Sequence, residues 1–127
     1  MKNKIIIPKI ESKKNILQYF RGLKIFSELL KPSAEFLPNF EDLYFIHKLI
    51  VLNKRLTILE FGTGWSTFVI KNAIEINKKK YFNLINKLRM ANKFEIFVVD
   101  DSKKYLAISK NRINKFYGKN NGVHFIQ

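Results

Sequence analysis

Two short clusters in this chain combine residue types that do chemistry. The first is Glu60, Gly62, Thr63, Gly64, Trp65, Ser66 and Thr67, a carboxylate, a glycine turn and three hydroxyls within eight residues. Gly62 permits a tight turn and Gly64 lets a ligand approach the backbone. A helix starting at Ser66 offers free backbone N–H groups to an anion. The second cluster is Asp100-Asp101-Ser102. A carboxylate there can accept hydrogen bonds from the hydroxyls of a ligand, and such charge-assisted bonds are the stronger kind. Other chemistries have no residues to work with. The chain has no cysteine, which excludes a thiol nucleophile, a disulfide framework and a Cys-ligated zinc site. Its two histidines, His47 and His124, lie far apart with no ligand spacing around them, so no metal site is expected.

The surrounding pattern says how these clusters are held. Leu56–Phe61 is a short apolar run of strand formers stopping at Gly62, and Ser66 or Thr67 can cap a helix through Phe68, Val69, Ile70, Ala73, Ile74 and Ile76. Residues 78–93 are polar and basic with interspersed apolar side chains, and read as a second helical piece inserted before the next strand. Phe94–Val99 is that strand, nearly all apolar as buried parallel strands tend to be. Ser102 caps a helix reaching Tyr117, with Tyr105, Leu106, Ile108, Ile113 and Phe116 on its packing side and Gly118 as its stop. Asn120-Asn121-Gly122 is a turn, and Val123–Ile126 begins a third strand. Upstream, Ser12 caps an amphipathic helix that runs to Pro32. Asn39 caps another, with Glu41 and Asp42 in its first turn, which closes at Asn53-Lys54-Arg55.

Strand–helix–strand–helix–strand implies parallel strands joined by right-handed crossovers. The expected fold is α/β: a Rossmann-like parallel sheet with flanking helices, truncated after its third strand and preceded by N-terminal helices. Residues 1–53 form the helical region and 54–127 the partial cofactor-binding domain. Ligands in such sheets bind beyond the carboxyl ends of the strands, where both clusters fall.

A dinucleotide fingerprint would place a third glycine at position 67 and an acid about 20 residues further on. Here Thr67 stands in that place, and Asp100 lies 36 residues beyond Gly64. Glu60 would also repel a pyrophosphate. Leu59-Glu60-Phe61-Gly62-Thr63-Gly64-Trp65-Ser66-Thr67 instead resembles the first motif of class I S-adenosylmethionine-dependent methyltransferases. Phe97-Val98-Val99-Asp100-Asp101-Ser102 resembles their second. The likeness covers Leu56–Gln127, and the preceding helices resemble the lid of that fold. It implies S-adenosyl-L-methionine as cofactor, held by Glu60, Phe61, Gly62, Thr63, Gly64, Trp65, Ser66, Thr67, Asp100 and Asp101. Glu60 would serve the methionine amino group, the loop would face its carboxylate, and Asp100 would take both ribose hydroxyls. Asp101 is left between the adenine and solvent. Trp65 is left between a π face for the sulfonium and packing over the helix start. The methyl acceptor and any catalytic base are unassigned. A non-catalytic or degenerate nucleoside-binding module is the alternative.

Net charge is 24 − 10 = +14, which invites a nucleic-acid partner and with it an RNA-binding methyltransferase fragment. The lysines are scattered, however, and lysine, asparagine and isoleucine are abundant throughout, so a solvated basic surface is the favoured reading. The one dense run, Lys78-Lys79-Lys80, sits where it complements a helix dipole. No apolar run approaches the roughly 20 residues that span a bilayer, and a soluble cytoplasmic protein is expected. The family's strand order would leave Leu56–Phe61 as a bare edge here. Such an edge invites pairing, so a partner chain or a missing C-terminal half is expected to complete the sheet.

Overall fold

A computed structural model describes residues 4–31, 37–88 and 92–127. Its elements are α1 (Lys13–Arg21), α2 (Phe26–Leu29), α3 (Phe40–Leu52), β1 (Thr57–Phe61), α4 (Trp65–Ile85), β2 (Glu95–Val99), α5 (Lys103–Tyr117) and β3 (Val123–Ile126). The three strands form one open sheet in the order β1-β2-β3, parallel throughout. The chain is thus mixed α/β with flanking helices, and β1 is an edge strand.

Three of the expected caps form. Ser12, Asn39 and Ser102 each accept a hydrogen bond from the backbone N–H three residues on. Gly118, at φ +83°, ends α5 in a conformation that glycine adopts without strain.

Elsewhere the helices depart from the expected pattern. The first does not run on from Ser12 toward Pro32. It ends at Gly22, whose N–H reaches back to Tyr19 O, and the chain turns before α2. Glycine lacks a side chain to favour helix at that point. Pro32 lies outside the described residues. Downstream, the helix after the glycine loop continues through the first part of the basic piece as one 21-residue helix ending at Ile85, and residues 86–88 turn away from helix. Lys78, Lys79 and Lys80 therefore lie in the body of α4 and not at its end. Long lysine side chains are good helix formers and keep their charges in water.

Burial follows the sheet's register. Ile58, Ile96 and Val123 align across the strands, as do Glu60, Val98 and Phe125. This face is covered: Ile70 and Ile74 of α4 and Leu106 of α5 pack with the fully buried Ile96 and Val98. The opposite face carries Leu59, Phe97 and His124 in one row and Phe61, Val99 and Ile126 in the next. Nothing covers it among the described residues, and Leu59, Phe61 and Ile126 are 59%, 78% and 45% exposed. Crossovers of one hand that advance in one direction put both helices on the same side of the sheet.

The N-terminal helices share the core of the rest. Ile16 and Phe20 of α1 and Leu43 and Tyr44 of α3 cluster with Phe68 and Val69 of α4 and Ile113 of α5. Buried Asn77 on α4 donates to Ile50 O and Arg55 O, which ties the end of α3 and the approach to β1 onto α4. A buried amide left without such partners would cost about 1–3 kcal/mol.

His47 on α3 is fully buried in a polar chain. Its Nε2 lies 2.8 Å from Asn72 Oδ1, which can only accept, so Nε2 carries the proton. Its Nδ1 then accepts from the Tyr19 hydroxyl at 2.6 Å. Burial lowers the His47 pKa to about 4 and raises that of Tyr19 to about 12.

Candidate binding site at the carboxyl ends of the strands

The turn after β1 is built by Gly62 at φ +87°, where an added Cβ would meet nothing within 4 Å. The requirement for glycine there is conformational rather than steric. Gly62 N–H donates to Val99 O at 2.7 Å, locking the turn against the end of β2. Gly64 is extended, with φ 166°, and caps α4 without a side-chain acceptor. The helix starts at Trp65, one residue before the earlier of the two expected caps. Ser66 and Thr67 lie in its first turn and are not its caps.

That difference gives the two hydroxyls another task. Glu60 points from the covered face of β1 toward the start of α4 and accepts hydrogen bonds from Ser66 Oγ (2.5 Å) and Thr67 Oγ1. A carboxylate below a helix N-terminus is favourably placed relative to the dipole. Burial raises the Glu60 pKa, the two hydroxyls oppose the rise, and nearby Asp100 adds to it. The hydroxyl network continues: Thr63 Oγ1 lies 2.9 Å from Thr67 Oγ1 and donates to Ser109 Oγ on α5 at 2.7 Å. Ser109 is buried and was not singled out in the sequence. Its signal there was only a serine on the inner side of an amphipathic helix.

Asp100 joins the two clusters. Its Oδ2 accepts from Thr63 N–H at 2.9 Å and its Oδ1 from Ser102 N–H at 2.8 Å. These amides, Ser102 first, hold its pKa below the usual carboxylate value, so the group is ionised at neutral pH. The backbone amide and the side chain of Asp101 also hydrogen-bond to it. Asp101 is exposed.

Trp65 is buried at the start of α4, edge-on to Phe68 and with the Arg112 guanidinium 3.7 Å from its ring centroid. One π face is therefore taken by a cation of the chain itself. Its indole N–H is buried without a hydrogen-bond partner. Phe61 lies on the uncovered face of the sheet, opposite to Glu60. The loop thus gathers Glu60, Thr63, Ser66, Thr67 and Asp100 into one network, with exposed Asp101 hydrogen-bonded to Asp100 at its rim, while Phe61 points away from it.

A cavity of about 260 Å³ opens beside this loop, lined by Leu37, Pro38, Asn39, Thr63, Gly64, Trp65 and Tyr105. Tyr105 was expected on the packing side of α5. It is 39% exposed and lines the cavity. Leu37–Asn39 come from the segment leading into α3, so the N-terminal region supplies one wall.

His124, in β3, stacks on Phe97 and lies 3.1 Å from Glu95, on the open face of the sheet opposite to Glu60. Among the described residues, no three His, Cys, Asp or Glu side chains stand together as metal ligands, and no helix is long and apolar enough to cross a membrane. No protein-family model, no curated protein and no solved structure matches this chain.

Proposed function

We propose that this chain is the cofactor-holding part of a class I S-adenosylmethionine-dependent methyltransferase, with a Rossmann-like sheet. The observation that carries the reading is the Asp100 carboxylate, ionised and pinned to the Thr63 amide across the ends of two adjacent parallel strands. In this position a carboxylate suits a ligand that presents a diol, because each ribose hydroxyl can donate to it. The glycine turn and the first amides of α4 suit a ligand carboxylate. Glu60 adds negative character where a ligand amine would approach, although its oxygens already serve Ser66 and Thr67. The donor set therefore fits an amino acid joined to a nucleoside better than a pyrophosphate.

In that role Asp100 binds and orients the ribose. Thr63, Gly64 and the start of α4 hold the amino-acid end, and Tyr105, Leu37 and Pro38 wall off water from one side. The cofactor, when bound, supplies an activated methyl group, and orientation carries much of such a transfer. A non-catalytic cofactor-holding module is the second reading. It is favoured by the absence, among the residues lining the cavity, of any histidine or carboxylate to act as general base. The methyl acceptor is not assigned.

Calorimetry tests the proposal. S-adenosylhomocysteine and S-adenosylmethionine should bind the chain and NAD should not. Asp100→Ala should weaken binding by about 10- to 100-fold, as expected for charge-assisted bonds of about 1.5–3 kcal/mol. Binding of NAD with equal affinity, or binding indifferent to Asp100→Ala, would refute it.

A further inference from the structure

Two elements of the chain are built like strands and lack a strand beside them. One is β1, whose outward edge pairs with no other described strand. The other is the N-terminal arm, residues 4–10, which runs without helix or sheet structure ahead of α1. Its isoleucines are conspicuously bare. Ile5, Ile6, Ile7 and Ile10 are 59%, 51%, 63% and 101% exposed. Isoleucine strongly favours strand, and a run of it facing water is costly unless something covers it.

The arm is held along one side only. Asn53, at the end of α3, accepts from Ile6 N–H at 2.7 Å and donates to Ile6 O at 2.8 Å. The side-chain amide thus pairs with both backbone groups of Ile6 as a neighbouring strand would. In an extended chain the backbone groups of flanking residues point the opposite way. Those of Ile5 and Ile7 make no hydrogen bond to any described residue. Pro8, which has no N–H, sits where pairing along the arm must stop.

We propose that the arm of one copy pairs with β1 of a second copy, and reciprocally, giving a twofold dimer by strand exchange. Ile5–Ile7 would lie against Leu59–Phe61, extending the sheet past its present edge. The contact is isologous: each copy offers one arm and one edge. Ile5, Ile6, Ile7, Leu59 and Phe61 together expose about 450–600 Å² if a fully exposed large apolar side chain presents roughly 150–200 Å², more than half of the about 800 Å² per partner in a standard interface. Each chain carries +14, so the dimer should tighten as salt screens the repulsion. A contact bridged by nucleic acid would do the opposite.

Sedimentation equilibrium of the full chain, with disulfide cross-linking, tests this. The absence of cysteine makes cross-linking clean. Wild type should behave as two chains of 15.1 kDa, tighter in 0.5 M than in 0.1 M salt (about fivefold in ionic strength). Ile7→Pro removes one N–H from the free edge of the arm, and Phe61→Lys puts a charge on the receiving strand. Each should weaken the dimer at least about tenfold. Both positions are exposed, and unchanged circular dichroism will show that the fold survives. Oxidising a mixture of Ile7→Cys and Leu59→Cys chains should give the mixed dimer, whereas Ala107→Cys on exposed α5 should not cross-link to Leu59→Cys. A single chain at all concentrations to about 100 μM, well above typical dimer dissociation constants, would overturn the proposal. So would dimerisation unaffected by both variants, dimers that loosen with salt, or equal cross-linking to Ala107→Cys.

Discussion

The two faces of one three-stranded sheet have opposite fates. On β2, Ile96 and Val98 are fully buried beneath α4 and α5, while Phe97 and Val99, their immediate neighbours in sequence, face the side that no helix covers among the described residues. On β1 the same alternation turns Glu60 inward to the start of α4 and leaves Leu59 and Phe61 in the open. Strand composition alone does not distinguish these faces, since both are largely apolar. The direction of the crossovers does, because β1, β2 and β3 advance one way and carry both helices to one side.

The largest test of that contrast is a pair of truncations. Ile96→Ala on the covered face should cost about 2–5 kcal/mol in urea unfolding, as buried large-to-small changes do. Phe61→Ser on the open face should stay within about 0.5 kcal/mol. Comparable losses at both positions would mean that the open face is covered in solution. The arm exchange proposed above would raise the cost of Phe61→Ser with protein concentration, which sharpens the comparison.

The next effect belongs to the buried histidine. His47→Leu should destabilise by about 1–3 kcal/mol, because Tyr19 and Asn72 lose their partner in a dry site. Wild-type stability should also depend on pH through this residue. Its folded pKa of about 4 lies below the ordinary 6.5, so the unfolded chain binds the proton more readily. Stability is therefore full above pH 6.5 and falls as pH drops toward 4, by up to roughly 3 kcal/mol. Unfolding measured at pH 7 and pH 5 should differ in wild type, and by much less in His47→Leu.

The smallest effect concerns the loop. Ser66→Ala removes one of the two hydroxyls that Glu60 accepts from, while Thr67 retains the other. A loss of about 0.5–1.5 kcal/mol is expected. It should shrink on acidification as Glu60 protonates. Its pKa is raised by burial, so the change should appear above the range of a free carboxyl.

Much of this arrangement was legible in the sequence because local rules governed it. Ser12, Asn39 and Ser102 cap the helices they precede, Gly62 makes the turn, and three apolar runs become parallel strands with β1 at the edge. Asp100 could be placed near the glycine loop because parallel strands end together. What stayed hidden depended on tertiary partners. The polar run around Lys78–Lys80 masked the continuity of α4, since its solvent side is wide there and the apolar spacing fades. Gly22 gave no sign that it would break the helix rather than sit within it. Buried Asn72, Asn77 and Ser109 look in sequence like surface residues. They are inside because His47, the carbonyls of Ile50 and Arg55, and Thr63 stand opposite them. The hydrogen bonds that Glu60 accepts from Ser66 and Thr67 are likewise not visible in sequence, because they depend on a helix that starts at Trp65 and places both hydroxyls in its first turn.

We propose that the carboxyl ends of β1 and β2 hold a nucleoside-linked amino acid. Titrating the ¹⁵N-labelled chain with S-adenosylhomocysteine and following its amide resonances tests that most directly. Saturable shifts should concentrate at Gly62–Ser66, Asp100–Ser102 and Tyr105, with the amides of Phe97 and His124 unmoved. A folded chain showing no shifts at millimolar ligand, or shifts centred on the open face of the sheet, would contradict it.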